Sequence, residues 1–363
     1  MCEPKPTFQT LTDTLDSYLN MGIPFYDCIV MKDGKCVYRH WNGFTDLTNR
    51  TPVTGRERYN IYSCTKLITC VAALQLWEKG LFRLEDKLSD YMREFAHMTV
   101  HTPEGVQPAK NPIRIQDLFT MTAGFSYNLN SPHLLRCREE TAGQCQTREA
   151  MKYLAQEPLL FEPGTRWEYS LCHDVLAALV EVISGMTFGE YVKQNIFAPL
   201  NMTHSTLLLD DSEVPTLVNQ YRYCPEKGVV ETDRSLSFKL GSLYESGGAG
   251  CISTVEDYIL LLEGLRTGVI LKSSTIDRMA TNHLNPQQLE TFWTKETHGY
   301  GLGQKCPRDD TQSDFGWGGA AGAHYFVDRK NRITAYLGIH VLGYADFQNT
   351  RVEITPLIQK ILA

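Results

Sequence analysis

The sequence predicts an α/β fold of the α+β kind: one antiparallel sheet built from both ends of the chain, flanked by helices, with a mostly helical insertion between them. Three observations predict it. Asp33-Gly34 separates the apolar runs Cys28-Ile29-Val30-Met31 and Cys36-Val37-Tyr38, which is a hairpin signal near the start. Tyr325-Phe326-Val327, a turn over Asp328 to Arg332, and Ile333-Thr334-Ala335-Tyr336-Leu337 form a second hairpin near the end. Between them, apolar residues recur at helical spacing. The expected division is a discontinuous sheet domain, 1–83 with 235–363, and a mostly helical domain, 84–234.

Composition limits what such a fold does. A chain of 363 residues is long enough for a large core and about two domains. Apolar residues make up 42% and charged residues 21%, as in ordinary globular proteins. The net charge of -7 and the lack of a Lys/Arg-dense tract argue against nucleic-acid binding. No run approaches the roughly 18 apolar residues of a membrane span. The 11 cysteines are odd in number and form no C-x-x-C pair, so they do not read as a disulfide framework. The opening Met-Cys-Glu-Pro-Lys-Pro has no signal-type apolar core, so a cytoplasmic setting is expected unless a leader has been removed.

Taken in order, Phe8 to Met21 reads as an amphipathic helix through Leu11, Leu15, Tyr18 and Leu19. The first hairpin follows. After the turn-rich Thr54-Gly55-Arg56-Glu57-Arg58, an uninterrupted apolar run over Leu67 to Trp77 reads as a buried helix stopped by Gly80. His97 to Pro112, with three prolines, reads as a surface loop. A helix then runs from Ile113 to Met121 and stops at Gly124, and Phe125 to Cys145 reads as irregular, a candidate binding loop. Helices are expected over Val175 to Ile183 and Phe188 to Phe197, and irregular structure with short strands over Asp210 to Leu240. Gly247-Gly248-Ala249-Gly250 lacks the Gly-Lys-Ser/Thr of a phosphate loop and reads as a tight turn with close backbone approach. Ser253 or Thr254 caps the next helix, and Val352 to Leu362 closes the chain as another.

The chemistry starts at Tyr62-Ser63-Cys64-Thr65-Lys66. Ser63 and Lys66 are three apart and share a helical face. A serine hydroxyl needs a base within reach, and a lysine amine serves when its pKa falls. The Ser63 N–H would also face a developing oxyanion. Such pairs are common on exposed helices, so the spacing gains weight only from the rest of the chain.

Two further stretches supply that weight: Tyr169-Ser170-Leu171 at the head of a helix, and Trp317-Gly318-Gly319-Ala320 before the last hairpin. With Ser63-x-x-Lys66 they resemble the serine hydrolases of the class C β-lactamase and penicillin-binding-protein superfamily. Leu84 to Leu88, Asp117 to Gly124, Phe161 to Thr165, Pro199 to Thr203 and Gly299 to Gly303 also look like segments of that family, in family order. The resemblance covers Phe8 to the C-terminus and implies a β-lactamase/transpeptidase-like fold with the active site between the two domains. It implies Ser63 as the nucleophile that forms an acyl-enzyme, Lys66 in its deprotonation, and Tyr169 relaying protons to the leaving group. It implies the N–H groups of Ser63 and Ala320 as the oxyanion hole, and Trp317, Gly318, Gly319, Leu171 and Phe125 as the substrate pocket.

The departures point away from penicillins. Leu171 stands where β-lactamases have asparagine, and Trp317-Gly318 replaces the Lys-Thr of Lys-Thr-Gly, so a cation and a hydroxyl for a substrate carboxylate are missing. These motifs are more similar to the carboxylesterases of this fold, whose substrates are small uncharged esters or acyl compounds. The alternatives are a D-amino-acid peptidase or amidase, a weak β-lactamase, or an inactive binding or regulatory homologue. A Ser-His-Asp triad is disfavoured: no G-x-S-x-G occurs, and His173, His324 and His340 read as structural. No metal-ligand spacing or H-E-x-x-H is present, so neither metal nor cofactor is expected. Cys64, Cys172 and Cys251 read as small core residues. Remaining pocket residues are sought at Phe125 to Asn130 and around Tyr244.

Overall fold

The computed structural model describes residues 6–210, 212–236, 238–309 and 311–363. A ten-stranded sheet forms its centre. Strand Phe25–Lys32 pairs antiparallel with both Lys35–Asp46 and Ile333–Leu342, so the two chain ends share the middle of the sheet. From Ile333–Leu342 the sheet continues through Gly322–Asp328, Asp314–Gly318, Lys305–Pro307 and His298–Tyr300. Both hairpins are the ones the turn residues predict: Asp33, with Gly34, and Arg332 have positive φ at the bends. Every residue of Phe25–Val30 and Ile333–Leu342 is buried, because helices cover both faces there.

Helix Phe8–Asn20 buries Leu11, Leu15 and Tyr18 as its spacing predicts. Helix Val255–Thr267 packs on the sheet, capped by the Thr254 hydroxyl, which accepts from Asp257 N at 3.0 Å. Helix Thr65–Glu78 is buried along most of its length, and helix Cys172–Ser184 packs against it. One continuous apolar core runs from Leu11 to Ile358.

Three readings are corrected. His97 to Pro112 is not a plain loop: Thr99–Thr102 and Gly105–Pro108 form a hairpin, with Pro103 in the turn and Pro108 at the strand end, where proline costs no ladder bond. Phe125 to Cys145 contains helix Pro132–Glu140, started by Pro132 in its first turn. The helix expected over Phe188 to Phe197 is α-helical only to Val192 and π-helical over Lys193–Phe197. Strand Gln220–Cys224 also joins the sheet, parallel to Ile333–Leu342, with Gly228–Thr232 beside it.

Candidate active site

Ser63 sits on a 3₁₀ turn, Tyr62–Cys64, that leads into helix Thr65–Glu78. The expected helix start is thus one tight turn earlier. Tyr62 adopts φ +49°, a sparsely populated conformation for a non-glycine residue. The surroundings hold that bend in place. Ile61 N donates to Cys251 O at 3.0 Å, Cys251 N donates to Thr65 Oγ1 at 2.9 Å, and Tyr258 Oη donates to Cys64 O at 2.8 Å. Ser63 is left 8% exposed, enough for a small group to reach its hydroxyl.

Lys66 is fully buried one turn further on. Its ammonium has three donors and faces three oxygens: Gly248 O at 2.7 Å, Tyr127 Oη at 3.4 Å and Ser63 Oγ at 3.4 Å. It also lies 4.6 Å from the ring centre of Tyr169 and 5.2 Å from that of Tyr127. Tyr169 Oη is 2.6 Å from Ser63 Oγ, with the phenol as donor. The nucleophile is thus coupled tightly to the tyrosine and only loosely to the lysine.

Electrostatics reverse the expected direction for Lys66. Burial pulls its pKa down, but the phenolic oxygens of Tyr127 and Tyr169 and the Asp174 carboxylate outweigh burial, and the net direction is up. That direction favours the ammonium form of Lys66. Burial pushes the Tyr127 phenol up despite the attraction of Lys66, so it stays neutral. The buried Asp174 carboxylate accepts from Tyr244 Oη and Ser246 Oγ, each at 2.7 Å, through Oδ1. Its Oδ2 has no hydrogen-bond partner among the described residues and points at the glycine turn.

That turn is where the Gly247 to Gly250 cluster acts. Gly248 accepts Lys66 at its carbonyl, and a Cβ there would lie 2.6 Å from Asp174 Oδ2, 3.2 Å from Tyr127 Oη and 3.3 Å from Lys66 Nζ. Thr69 Oγ1 donates to Gly247 O at 2.6 Å. The close approach that the glycines predict is therefore to the lysine anchor.

Aromatic rings wall the opening. Trp317 stacks on Tyr169 at 5.8 Å, and Tyr127 also stacks on Tyr169, at 5.4 Å. Trp293, 64% exposed, tilts over Tyr169 at 5.1 Å and rests on buried Trp167 at 4.9 Å. Phe238 meets Tyr127 edge-on at 5.9 Å. Gly319 abuts the carbonyl of Ile61, which brings Ala320 beside the Tyr62 cluster. Neither the Ser63 N–H nor the Ala320 N–H makes a hydrogen bond among the described residues.

Of the residues the sequence picks out, Ser63, Lys66, Tyr169, Trp317, Gly318, Gly319 and Ala320 come together. Two pocket candidates do not join them. Leu171 is buried in the core at the head of helix Cys172–Ser184, and Phe125 packs edge-on against Phe95 at 5.7 Å. The Tyr127 and Gly248 contacts and the Trp293 wall have no motif of their own. Tyr127 lies within the Phe125 to Asn130 stretch, and Gly248 within the glycine cluster. His173 and His340 are buried, and burial lowers their pKa to about 3 and about 4, so both are neutral. His324 contacts Thr355 rather than Ser63.

A family model described as Beta-lactamase matches residues 21–351. The chain belongs to the β-lactamase family. Within it, the lovastatin esterase of Penicillium rubens is 28% identical over 373 residues, covering 90% of each chain. Acyltransferase calJ of Penicillium decumbens is 25% identical over 358 residues, covering 88% of this chain and 84% of its own. The solved simvastatin synthase LovD of Aspergillus terreus shares the fold, with a TM-score of 0.81 at 23% identity over 98% of both chains. This β-lactamase-family chain is a serine hydrolase by family and fold, among relatives that are esterases and acyltransferases.

Proposed function

We propose that the chain is a carboxylesterase for small, uncharged esters, acting through an acyl-enzyme on Ser63. The observation that carries this is the 2.6 Å contact between Ser63 Oγ and Tyr169 Oη beside a buried ammonium. In the acting state Tyr169 has given up its proton beside Lys66, so the contact that the phenol donates at rest runs instead from Ser63 Oγ to the Tyr169 oxygen. Ser63 Oγ attacks the ester carbonyl carbon while its proton passes to the Tyr169 oxygen. The carbonyl oxygen becomes an oxyanion facing the N–H groups of Ser63 and Ala320. Collapse breaks the C–O bond, and the departing alkoxide takes the proton from Tyr169. Water repeats the sequence on the acyl-enzyme and releases the acid. The wall of Trp317, Trp293, Tyr127 and Phe238 suits an apolar ester better than an anionic peptide.

A second reading, acyl transfer to an alcohol in place of water, is favoured by the similarity to acyltransferase calJ. Both use the same acyl-enzyme. The test incubates the protein with a short-chain aryl ester and follows intact mass beside Ser63→Ala. Turnover with a transient acyl adduct, both lost in the variant, is the expected result. An added alcohol that intercepts the acyl group as a new ester separates transfer from hydrolysis. Rapid labelling by a fluorescent penicillin without ester turnover would instead favour the peptidase or β-lactamase alternative. Turnover that survives Ser63→Ala sinks the mechanism.

A further inference from the structure

The turn after the third motif is gripped from behind by the C-terminal segment. Arg351 opens the short 3₁₀ turn Arg351–Glu353 and is only 8% exposed. Its Nη1 donates to Gly319 O at 2.9 Å. Its Nη2 lies 2.5 Å from the place a Cβ on Gly318 would take, so the bare backbone at 318 is what admits the guanidinium. Three residues earlier, Gln348 Nε2 donates to Ala320 O at 3.0 Å. Gly322 N also donates to Gly319 O, at 3.1 Å, and Gly319 N donates to Ala323 O, at 2.8 Å.

The Gly319 carbonyl and the Ala320 N–H belong to one peptide unit. That unit is planar and trans, so its C=O and N–H point in opposite directions. Whatever fixes the carbonyl on the helix side fixes the N–H on the other side, where it has no hydrogen-bond partner among the described residues. A charged donor on the carbonyl also draws density from the amide nitrogen and strengthens the N–H as a donor, by about 10–30% per bond in such chains. Burial lowers the Arg351 pKa to about 10, and the group remains a cation at neutral pH.

We propose that Arg351 is a positioning residue for the oxyanion hole: its guanidinium holds the Gly319 carbonyl and thereby aims and polarises the Ala320 N–H. The inference rests on the acyl-enzyme reading and extends it to the second oxyanion donor. Gln348 steadies the following carbonyl but carries no charge, so Arg351 supplies the electrostatic part. Among the described residues Arg351 makes no hydrogen bond to Ser63; its guanidinium bonds the Gly319 carbonyl.

The test compares a short-chain aryl ester with its thiono analogue, in which C=S replaces C=O. A thiolate-like anion accepts hydrogen bonds poorly and draws little on the hole. In Arg351→Met, kcat for the oxo ester is expected to fall about 10- to 100-fold with KM within about threefold. The thiono ester should lose less than about threefold, so the oxo-to-thiono ratio collapses. Arg351→Lys, which keeps a cationic donor, should recover most of that ratio. Should the Met variant fail to fold, Arg351→Gln read beside Arg351→Lys gives the same comparison. Equal losses on both esters, or an unchanged oxo ester kcat, overturn the proposal. A wild type without Ser63-dependent turnover would remove the acyl-enzyme reading itself, whereas an Arg351-insensitive ratio in an enzyme that does turn over removes only this step.

Discussion

In the proposed mechanism, distance decides which neighbour takes the proton of Ser63, beside a Lys66 whose pKa is pushed up by its oxygen neighbours. A bond of 2.6 Å from Tyr169 against a 3.4 Å contact from Lys66 favours the phenol oxygen as the proton acceptor we propose. Tyr169→Phe should therefore lower kcat about 10²- to 10³-fold with little change in KM. Tyr127→Phe removes only a 3.4 Å contact to Lys66 and should cost about 3- to 10-fold. Steady-state kinetics on one aryl ester checks both, and equal losses would deny Tyr169 its special place. Trp293 offers an exposed ring beside Tyr169, held from below by Trp167. Trp293→Ala should raise KM about 5- to 20-fold for a naphthyl ester and leave an ethyl ester nearly unchanged. That Ser63, Lys66 and Tyr169 come together was legible through the resemblance carried by three short stretches, since the Ser63–Lys66 spacing alone is common on helices. Tyr127 and Trp293 were not, because they reach the site through loops whose paths no local pattern encodes.

Two elements shape the site without entering the chemistry. The turn Gly247 to Gly250 puts a bare backbone against Lys66, and the glycines alone predicted that closeness, though not its target. A methyl group at Gly248 would lie 2.6 Å from the Asp174 carboxylate, which Tyr244 and Ser246 hold in place. Gly248→Ala should cut kcat at least about tenfold and lower stability by about 1–3 kcal/mol, read by kinetics and thermal melting. The second element is helix Cys172–Ser184, whose Glu181 accepts from Phe188 N at 3.0 Å near the end of the helix. Burial, reinforced by the nearby Glu245, raises Glu181 from its ordinary 4.5 to about 7. A raised carboxyl favours the protonated fold: the stabilisation is full below pH 4.5 and is lost as pH rises through 7. Glu181→Gln keeps an acceptor and carries no charge. Its unfolding free energy should match wild type near pH 4.5 and exceed it above pH 7, by an amount on the order of 2 kcal/mol. An offset that does not change with pH would refute the assignment. Elements with weak signals were misread for physical reasons. The prolines at 103 and 108 occupy the turn and end of a hairpin, and helix Pro132–Glu140 buries only Leu134 and Cys137.

At the scale of the molecule, both hairpins and the meeting of the termini followed from turn residues and alternation. The parallel joining of Gln220–Cys224 did not, because a long-range strand partner leaves no mark on its own sequence. The division into 1–83 with 235–363 and 84–234 now carries a prediction of its own. The candidate site draws on both parts: Ser63, Lys66, Gly248 and Trp317 from one, Tyr127 and Tyr169 from the other. Helix Cys172–Ser184 lies directly on the buried helix Thr65–Glu78, and a single apolar core spans Leu11 to Ile358. Removing either part would strip the other of its inner face and leave Lys66 with fewer oxygen partners in an apolar interior. The two parts should therefore unfold as one unit despite the size of the chain. Urea titration should give coincident midpoints by far-UV circular dichroism, by tryptophan fluorescence, to which Trp167, Trp293 and Trp317 report from the site itself, and by loss of whatever aryl-ester turnover the protein shows. If activity and fluorescence were lost at a lower urea concentration than the sheet signal, the helical part would be an independently melting domain and the shared core would contribute less than its extent implies.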